Sequence, residues 1–276
     1  MRYGDAMFYF GPAGIPEKCK TYTEAFEYLH NIGLNAMELE FVRGARITVE
    51  RAEEVGREAA THSIKLSAHA PYFINLNSKE REKIEKSIVH IVRTAQVSDA
   101  AGASPVVVHA GYYSGKTSKE ATEIIATNLE RVIKEIDENG YAVKIGLETM
   151  GKVSAWGTLD EILEISTKFR NVIPIMDFAH MYARSNGKIT EEAQFEELVR
   201  KYESGNFGFM HVHMSSIAYT SKGERMHLTM EDSNEPDFRK IAKVLKKRDY
   251  PITIISESPV LEIDALKMKK IIEELP

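Results

Sequence analysis

The residues best suited to chemistry in this chain are imidazoles and carboxylates placed at the ends of short apolar runs. His69 follows the third run, His109 ends the fourth, Glu148 the fifth and Asp177 the sixth, with His180 just after it; His213 ends the seventh and Glu257 the eighth. All are of the types that ligate divalent metals. One strand-end histidine is ordinarily a hydrogen-bonded structural residue. Seven metal-ligand types at equivalent points reverse that expectation, because chance would scatter them. Bringing Glu148, Asp177 and Glu257 together would be severely unfavourable through repulsion and desolvation unless divalent cations neutralised them. Imidazole and carboxylate suit Zn²⁺, with Mn²⁺ or Fe²⁺ also compatible. Cys19 is the only cysteine, so no thiolate cluster is available and any metal falls to His and carboxylate ligands.

The other histidines carry different weight. His30, His62 and His90 fall within or at the ends of predicted helices, where solvated or capping roles account for them. His211 precedes His213 by two and shares its strand face, so it either orients that neighbour or packs inside the sheet. His227, in the loop segment SKGERMHLTMED, is either an exposed histidine or, with Glu224 three positions earlier, a further metal pair.

Positioning such a set requires elements that converge. The chain alternates short apolar runs with longer amphipathic segments. The runs lie near Arg2 to Ala6, Ala36 to Phe41, Lys65 to Ala68, Pro105 to His109, Val143 to Glu148, Val172 to Asp177, Phe207 to His213 and Pro251 to Glu257. They read as parallel strands buried on both faces. Helices are predicted over Thr23 to Ile32, Thr48 to His62, Ser78 to Ala101, Thr117 to Asn139, Leu159 to Thr167, Glu191 to Tyr202, Pro236 to Lys247 and Ile263 to Glu274. Ser78 is the expected cap of the third helix and Gly140 closes the fourth. No Pro/Ser/Gly-rich linker divides the series, which predicts one (β/α)8 TIM barrel over residues 1–276 as a single domain. In such a barrel the strand ends share one face, and the seven residues would line one cup.

Composition sets the remaining bounds. With 276 residues, 43% hydrophobic and 28% charged, the chain can bury a substantial core, and α/β barrels commonly use about 250 residues. A net charge of −5 argues against a generally basic surface while leaving room for local patches. A lone cysteine fits a reducing compartment. The opening MRYGDAMFYFGPAG lacks the plan of a signal peptide, and no apolar stretch approaches the roughly 18 residues that span a bilayer. A cytoplasmic protein outside the membrane is expected.

The sequence resembles the endonuclease IV family, zinc-dependent apurinic/apyrimidinic endonucleases within the wider xylose-isomerase-like barrel superfamily. The likeness covers nearly the whole chain. It is carried by His69-Ala-Pro-Tyr-Phe-Ile-Asn-Leu76, Val108-His109-Ala-Gly111, Leu147-Glu148-Thr with Gly151, Asp177-Phe-Ala-His180, His213, and Glu257-Ser-Pro259. The resemblance implies that His69, His109 and Glu148 hold one zinc, that Glu148 bridges to a second held by Asp177, His213 and Glu257, and that His180 joins a third. It implies catalytic roles for Glu148 and Glu257. The third site departs from the family, whose Asp-x-His pair is replaced by Glu224-Arg-Met226 followed by His227. The stretch after His213 also differs, reading Met214-Ser-Ser216, as does the opening from Asp5 to Gly14.

These implications amount to a phosphodiesterase with two or three Zn²⁺ ions, Mn²⁺ being the alternative metal, acting as a monomer on DNA that contains abasic sites. Tyr72 and Phe73 match the family's pair that enters DNA at the lesion, although aromatics there could equally cover the barrel mouth. Arg43 and Arg46, and further round the rim Lys116, Arg184, Lys222 and Arg225, are the candidate phosphate contacts; taken singly each is a solvated loop charge. The main rival is a sugar isomerase or epimerase of the same superfamily, with one Mn²⁺ or Mg²⁺ held by Glu148, Asp177, His213 and Glu257. In that reading His69 and His109 have no metal to bind. A third is a barrel that binds damaged nucleic acid without cutting it.

Overall fold

The apolar runs pair side by side and in parallel, as strands covered on both faces must. The computed structural model describes residues 8–276. Its strands are β1 (Phe8–Pro12), β2 (Ala36–Glu40), β3 (Lys65–His69), β4 (Val106–Val108), β5 (Ile145–Glu148), β6 (Val172–Asp177), β7 (Met210–Met214), β8 (Ser216–Thr220), β9 (Gly223–Leu228) and β10 (Ile252–Ser256). All but β8 and β9 form one sheet in the order β1-β10-β7-β6-β5-β4-β3-β2. Its two edges meet. Asn35 N donates to Phe10 O at 3.1 Å and Gly14 N to Glu38 O at 3.0 Å, so β1 and β2 close the sheet into a barrel. The seam is tight: a Cβ on Gly11 would lie 1.8 Å from the Ala36 carbonyl oxygen, which only glycine permits.

Around the barrel run α1 (Tyr22–Asn31), α2 (Val49–Thr61), α3 (Arg81–Ala100), α4 (Ser118–Asn139), α5 (Leu159–Ser166), α6 (Phe178–Arg184), α7 (Glu192–Glu203), α8 (Phe238–Leu245) and α9 (Glu262–Glu274). In α4, Thr117 and Glu120 form a reciprocal capping box and Gly140 takes a left-handed φ of 72° at the other end. The apolar stripes of these helices, with Phe26, Val55, Ile91 and Leu129 fully buried, pack onto the outer face of the strands. No described helix is long and apolar enough to cross a membrane.

One expectation falls outside the described residues and three need correction. The run from Arg2 to Ala6 lies outside the described residues, and the first described strand is Phe8–Pro12. The third helix starts three residues late: Ser78 Oγ accepts from Glu80 N at 3.1 Å and shapes the preceding turn, while Glu80 occupies the cap position without a side-chain bond. The residues after Asp177 form a helix, α6, because the Asp177 carboxylate caps it by accepting from His180 N at 2.6 Å. Arg184 is therefore helical rather than in a loop. Finally, the segment around His227 is an antiparallel hairpin of β8 and β9.

Candidate metal centre

Strand register brings the named side chains to the C-terminal end of the barrel. Glu40 pairs in register with His69, and Asp177 with His213; Glu148 ends β5, while His109 and Glu257 follow β4 and β10 directly. His69 Nε2 and His109 Nε2 approach the same oxygen, Glu148 Oε2, at 3.2 and 2.7 Å. The other oxygen, Oε1, lies 3.1 Å from His180 Nδ1 and 3.5 Å from His213 Nδ1. Donor atoms lie within 4.8 Å of one another in four groups among the described residues: His69, His109 and Glu148; Glu148, Asp177, His213 and Glu257; His180, His227 and Glu257; and Glu38, His211 and His213. Glu148 belongs to the first two.

The outer nitrogens indicate how the rings are held. His69 Nδ1 donates to Ala70 O at 2.7 Å and His180 Nδ1 to Thr149 O at 3.0 Å. A carbonyl oxygen can only accept, so one proton sits on Nδ1, and Nε2 is the nitrogen left to bind a cation once its own proton is lost. Ser215 Oγ shares a hydrogen bond of 2.6 Å with His227 Nδ1, leaving that Nε2 to face Glu257 Oε2 at 3.8 Å. The altered Met214-Ser-Ser216 stretch thus supplies the group that orients His227.

Charge is the unusual property of this cup. Glu38, Glu148 and Asp177 are fully buried, Glu257 and Glu40 nearly so, and none has a Lys or Arg partner among the described residues. Burial pushes Asp177 well above the ordinary carboxylate range. Burial also raises Glu148 and Glu257, but neighbouring imidazolium charge outweighs it, His109 and His213 holding Glu148 well below that range and His213 bringing Glu257 to about 2. The histidines rise in return: burial lowers His69, yet Glu148 and Glu40 lift it to about 9, and acidic neighbours take His180 and His213 well above their usual value. Protons here do what a divalent cation would do, and they occupy the same ring lone pairs. Glu148 Oε1, Asp177 Oδ2 and Glu257 Oε2 have no hydrogen-bond partner despite full burial, and an imidazole–carboxylate donor set fits Zn²⁺.

The hairpin accounts for the altered third group. In a regular strand Glu224 and His227 would point to opposite faces. The register steps between Ala218–Met226 and Tyr219–Glu224, leaving Arg225 as an extra residue. That bulge restores a common face: Glu224 Oε2 lies 3.4 Å from His180 Nε2, while the His227 ring lies tilted against the His180 ring at a centroid distance of 5.4 Å. Glu224 is also 3.8 Å from Lys152 Nζ.

Of the remaining candidates, Tyr72 and Phe73 are 46% and 57% exposed. Tyr72 lays its ring 4.7 Å from His69 and 5.2 Å from His109 and donates to Glu40 Oε2 at 3.3 Å, so it partly roofs the cup. Phe73 meets the His90 ring edge-on, at 4.9 Å. Arg43, Arg46, Lys222 and Arg225 are exposed, and Lys116 is partly so. Arg184 is turned inward: its guanidinium donates to the carbonyls of Met150, Lys152 and Ala155 and to Tyr113 Oη, clamping the loop after β5. It is withdrawn from the rim contacts. His30 and His62 bond backbone carbonyls at helix ends. Tyr72, Tyr112, Lys152, His180, Glu224 and His227 line a cavity of about 340 Å³ over the cup. Sequence reading passed over Glu38 and Glu40. Their signal was two carboxylates at i and i+2 in AMELE, a strand otherwise apolar.

Residues 26–275 match the family described as xylose isomerase-like TIM barrel. An uncharacterised protein of Methanocaldococcus jannaschii is 38% identical over 276 residues, 98% of this chain and 99% of its own length. A probable endonuclease 4 of Carboxydothermus hydrogenoformans is 25% identical over 228 residues, 76% of each chain. Among solved structures, a D-tagatose 3-epimerase-like protein superposes with a TM-score of 0.70 at 22% identity, over 91% of this chain and 92% of that one, a likeness of fold.

Two outcomes follow from this geometry. Zinc must displace the proton that His69 retains up to about pH 9, so zinc affinity is expected to rise between about pH 7 and about pH 9 with proton release. Calorimetry in buffers of different ionisation enthalpy reads this directly; pH-independent binding would contradict it. The hairpin gives the second. His227→Ala is expected to lower zinc content at saturation by about one ion, whereas deleting Arg225 keeps Glu224 and His227 on one face of an unbulged strand and retains that ion. Equal zinc content in wild type and His227→Ala would remove His227 from the ligands.

Proposed function

The chain belongs to the xylose isomerase-like TIM barrel family, and from that premise we propose that it is a zinc-dependent endonuclease cleaving the DNA phosphodiester 5′ to abasic sites. The observation that carries this reading is the convergence of His69 and His109 on one oxygen of Glu148. Those imidazoles form a donor group additional to Glu148, Asp177, His213 and Glu257. A sugar isomerase or epimerase with one Mn²⁺ or Mg²⁺ uses the second group and leaves the first idle. Endonuclease 4 names among the relatives support the same choice.

In this reading His69, His109 and Glu148 hold one ion, Glu148, Asp177, His213 and Glu257 a second, and His180, His227 and Glu224 a third beside Glu257. Zinc ions so held would supply positive charge to a scissile phosphate and acidity to a bound water. The chain's own groups do the rest. Glu148 divides its two oxygens between two donor groups and so fixes their spacing. Tyr72 shields the His69 and His109 rings from water. Burial pushes the Glu40 carboxyl up to about 7, so beneath Tyr72 it opposes an anionic substrate less than an ordinary glutamate would. Phe73, Tyr112 and Met226 form an exposed apolar rim on which unstacked bases can rest. Arg43, Arg46, Lys222 and Arg225 offer charge to the flanking phosphates. The protein acts as a cytoplasmic monomer.

The test is incision of a duplex bearing a single abasic site by the zinc-loaded chain. Wild type is expected to cut on the 5′ side, and Glu148→Ala to lose at least one ion and nearly all incision; ketose turnover with one Mn²⁺ and no incision would replace the nuclease by the sugar enzyme. Replacing Tyr72 and Phe73 together by Ala is expected to weaken binding to the abasic duplex, at roughly 1–3 kcal/mol per lost stacking contact. Thermal stability should hardly move. A large fall in melting temperature would place the pair in the core instead.

A further inference from the structure

Glu38 is a buried acid for which the centre described above has no use. It sits in the middle of β2, fully buried, and Ser67, its register partner on β3, donates to its Oε2 at 2.7 Å. The carboxylate spans two rings of β7 with a different oxygen for each: Oε2 lies 3.1 Å from His211 Nε2, and Oε1 lies 3.0 Å from His213 Nε2. The second contact is an ion-pair distance: neither Oε1 nor His213 Nε2 has a hydrogen-bond partner, and each is the nearest buried polar atom offered to the other. Two such atoms buried side by side satisfy each other when the proton rests on Nε2. The opposite nitrogen of the same ring, Nδ1, faces Glu257 Oε1 at 3.3 Å and Glu148 Oε1 at 3.5 Å.

We propose that Glu38 is a positioning residue, which holds the proton of His213 on Nε2 and so presents a bare Nδ1 to the cation shared with Glu148, Asp177 and Glu257. The inference rests on the metal-centre reading. The pattern elsewhere in the cup supports it: the outer nitrogens of His69 and His227 face a carbonyl and a hydroxyl, and that of His180 bonds the Thr149 carbonyl while lying near Glu148 and Asp177 on its own side of the cup, whereas that of His213 faces a carboxylate from across the barrel. A carboxylate behind a ligating imidazole both fixes the ring and raises its basicity. Ligation by Glu38 itself fits less well, because its oxygens diverge to separate rings and one already accepts from Ser67.

The experiment is zinc binding to the full chain by chelator competition, with the Co²⁺-substituted spectrum as a second readout. Glu38→Gln puts an amide nitrogen, which can only donate, where one of the two oxygens stood. Zinc affinity is expected to fall by about 10–100-fold, with full stoichiometry regained at saturation, an altered Co²⁺ spectrum and little change in the melting temperature of the metal-free chain. Wild-type affinity and spectrum in Glu38→Gln would overturn the role of Glu38 alone. Loss of a whole ion at saturating zinc would make Glu38 a ligand and also overturn it. A wild-type chain that takes up no zinc would overturn the metal centre itself. Ser67→Ala, which removes only the hydroxyl on Oε2, is expected to show a smaller loss of affinity; should Glu38→Gln fail to fold, unchanged affinity in Ser67→Ala overturns the proposal.

Discussion

The arrangement turns on carboxylates buried together without a lysine or arginine partner among the described residues to balance them. Glu148 is the focus, fully buried with an imidazole on each side of each oxygen. A buried carboxylate costs several kcal/mol unless its charge is met. The chain meets it with histidines, whose raised proton affinity is the other side of the same balance. Protons and divalent cations then compete for one set of lone pairs, and the site is best understood as that competition.

A closed parallel barrel makes such crowding possible. Each strand turns alternate side chains inward, and the closing contact between β1 and β2 brings the strand ends onto a common rim. The Glu38, Ser67, His211 and Thr253 layer lies one step below the ligand layer, as the pairings Glu38–Ser67 and His211–Thr253 set out. Polar groups therefore continue downward from the cup before the apolar core takes over, and orientation of the ligands passes through that lower layer. The hairpin after β7 solves a different problem: it stands outside the barrel, so its side chains must be aimed by local twist and a bulge rather than by barrel register.

This difference explains what could be read from the sequence. Residues at strand ends, from His69 round to Glu257, were legible because a barrel turns equal sequence position into equal spatial position. Glu38 and Glu40 were hidden by their setting, since a glutamate inside an apolar run has no partner in the linear text; the partners Ser67 and His211 come from other strands. Arg184 misled because α6 is nucleated by Asp177, a residue already assigned to the site, and its side chain then found three carbonyls to clamp. The spacing Glu-x-x-His around Arg225 carries no mark of the bulge that makes it usable.

The four donors Glu148, Asp177, His213 and Glu257 serve equally well for moving a proton on a sugar or for holding a cation against a phosphate, and a shared barrel does not separate the two. What separates them is everything added to the four. His69 and His109 supply two more imidazoles on the far oxygen of Glu148, and the bulged hairpin brings Glu224 and His227 to His180. A proton shuttle gains nothing from those donors, because extra cations would compete for the carboxylates that must carry the proton. Stabilising the charge that develops on a phosphate in flight gains from each of them. The rim points the same way. Phe73 and Tyr112 stay exposed beside the mouth rather than folding in as the walls of a closed pocket, which suits a substrate much larger than the cavity it enters.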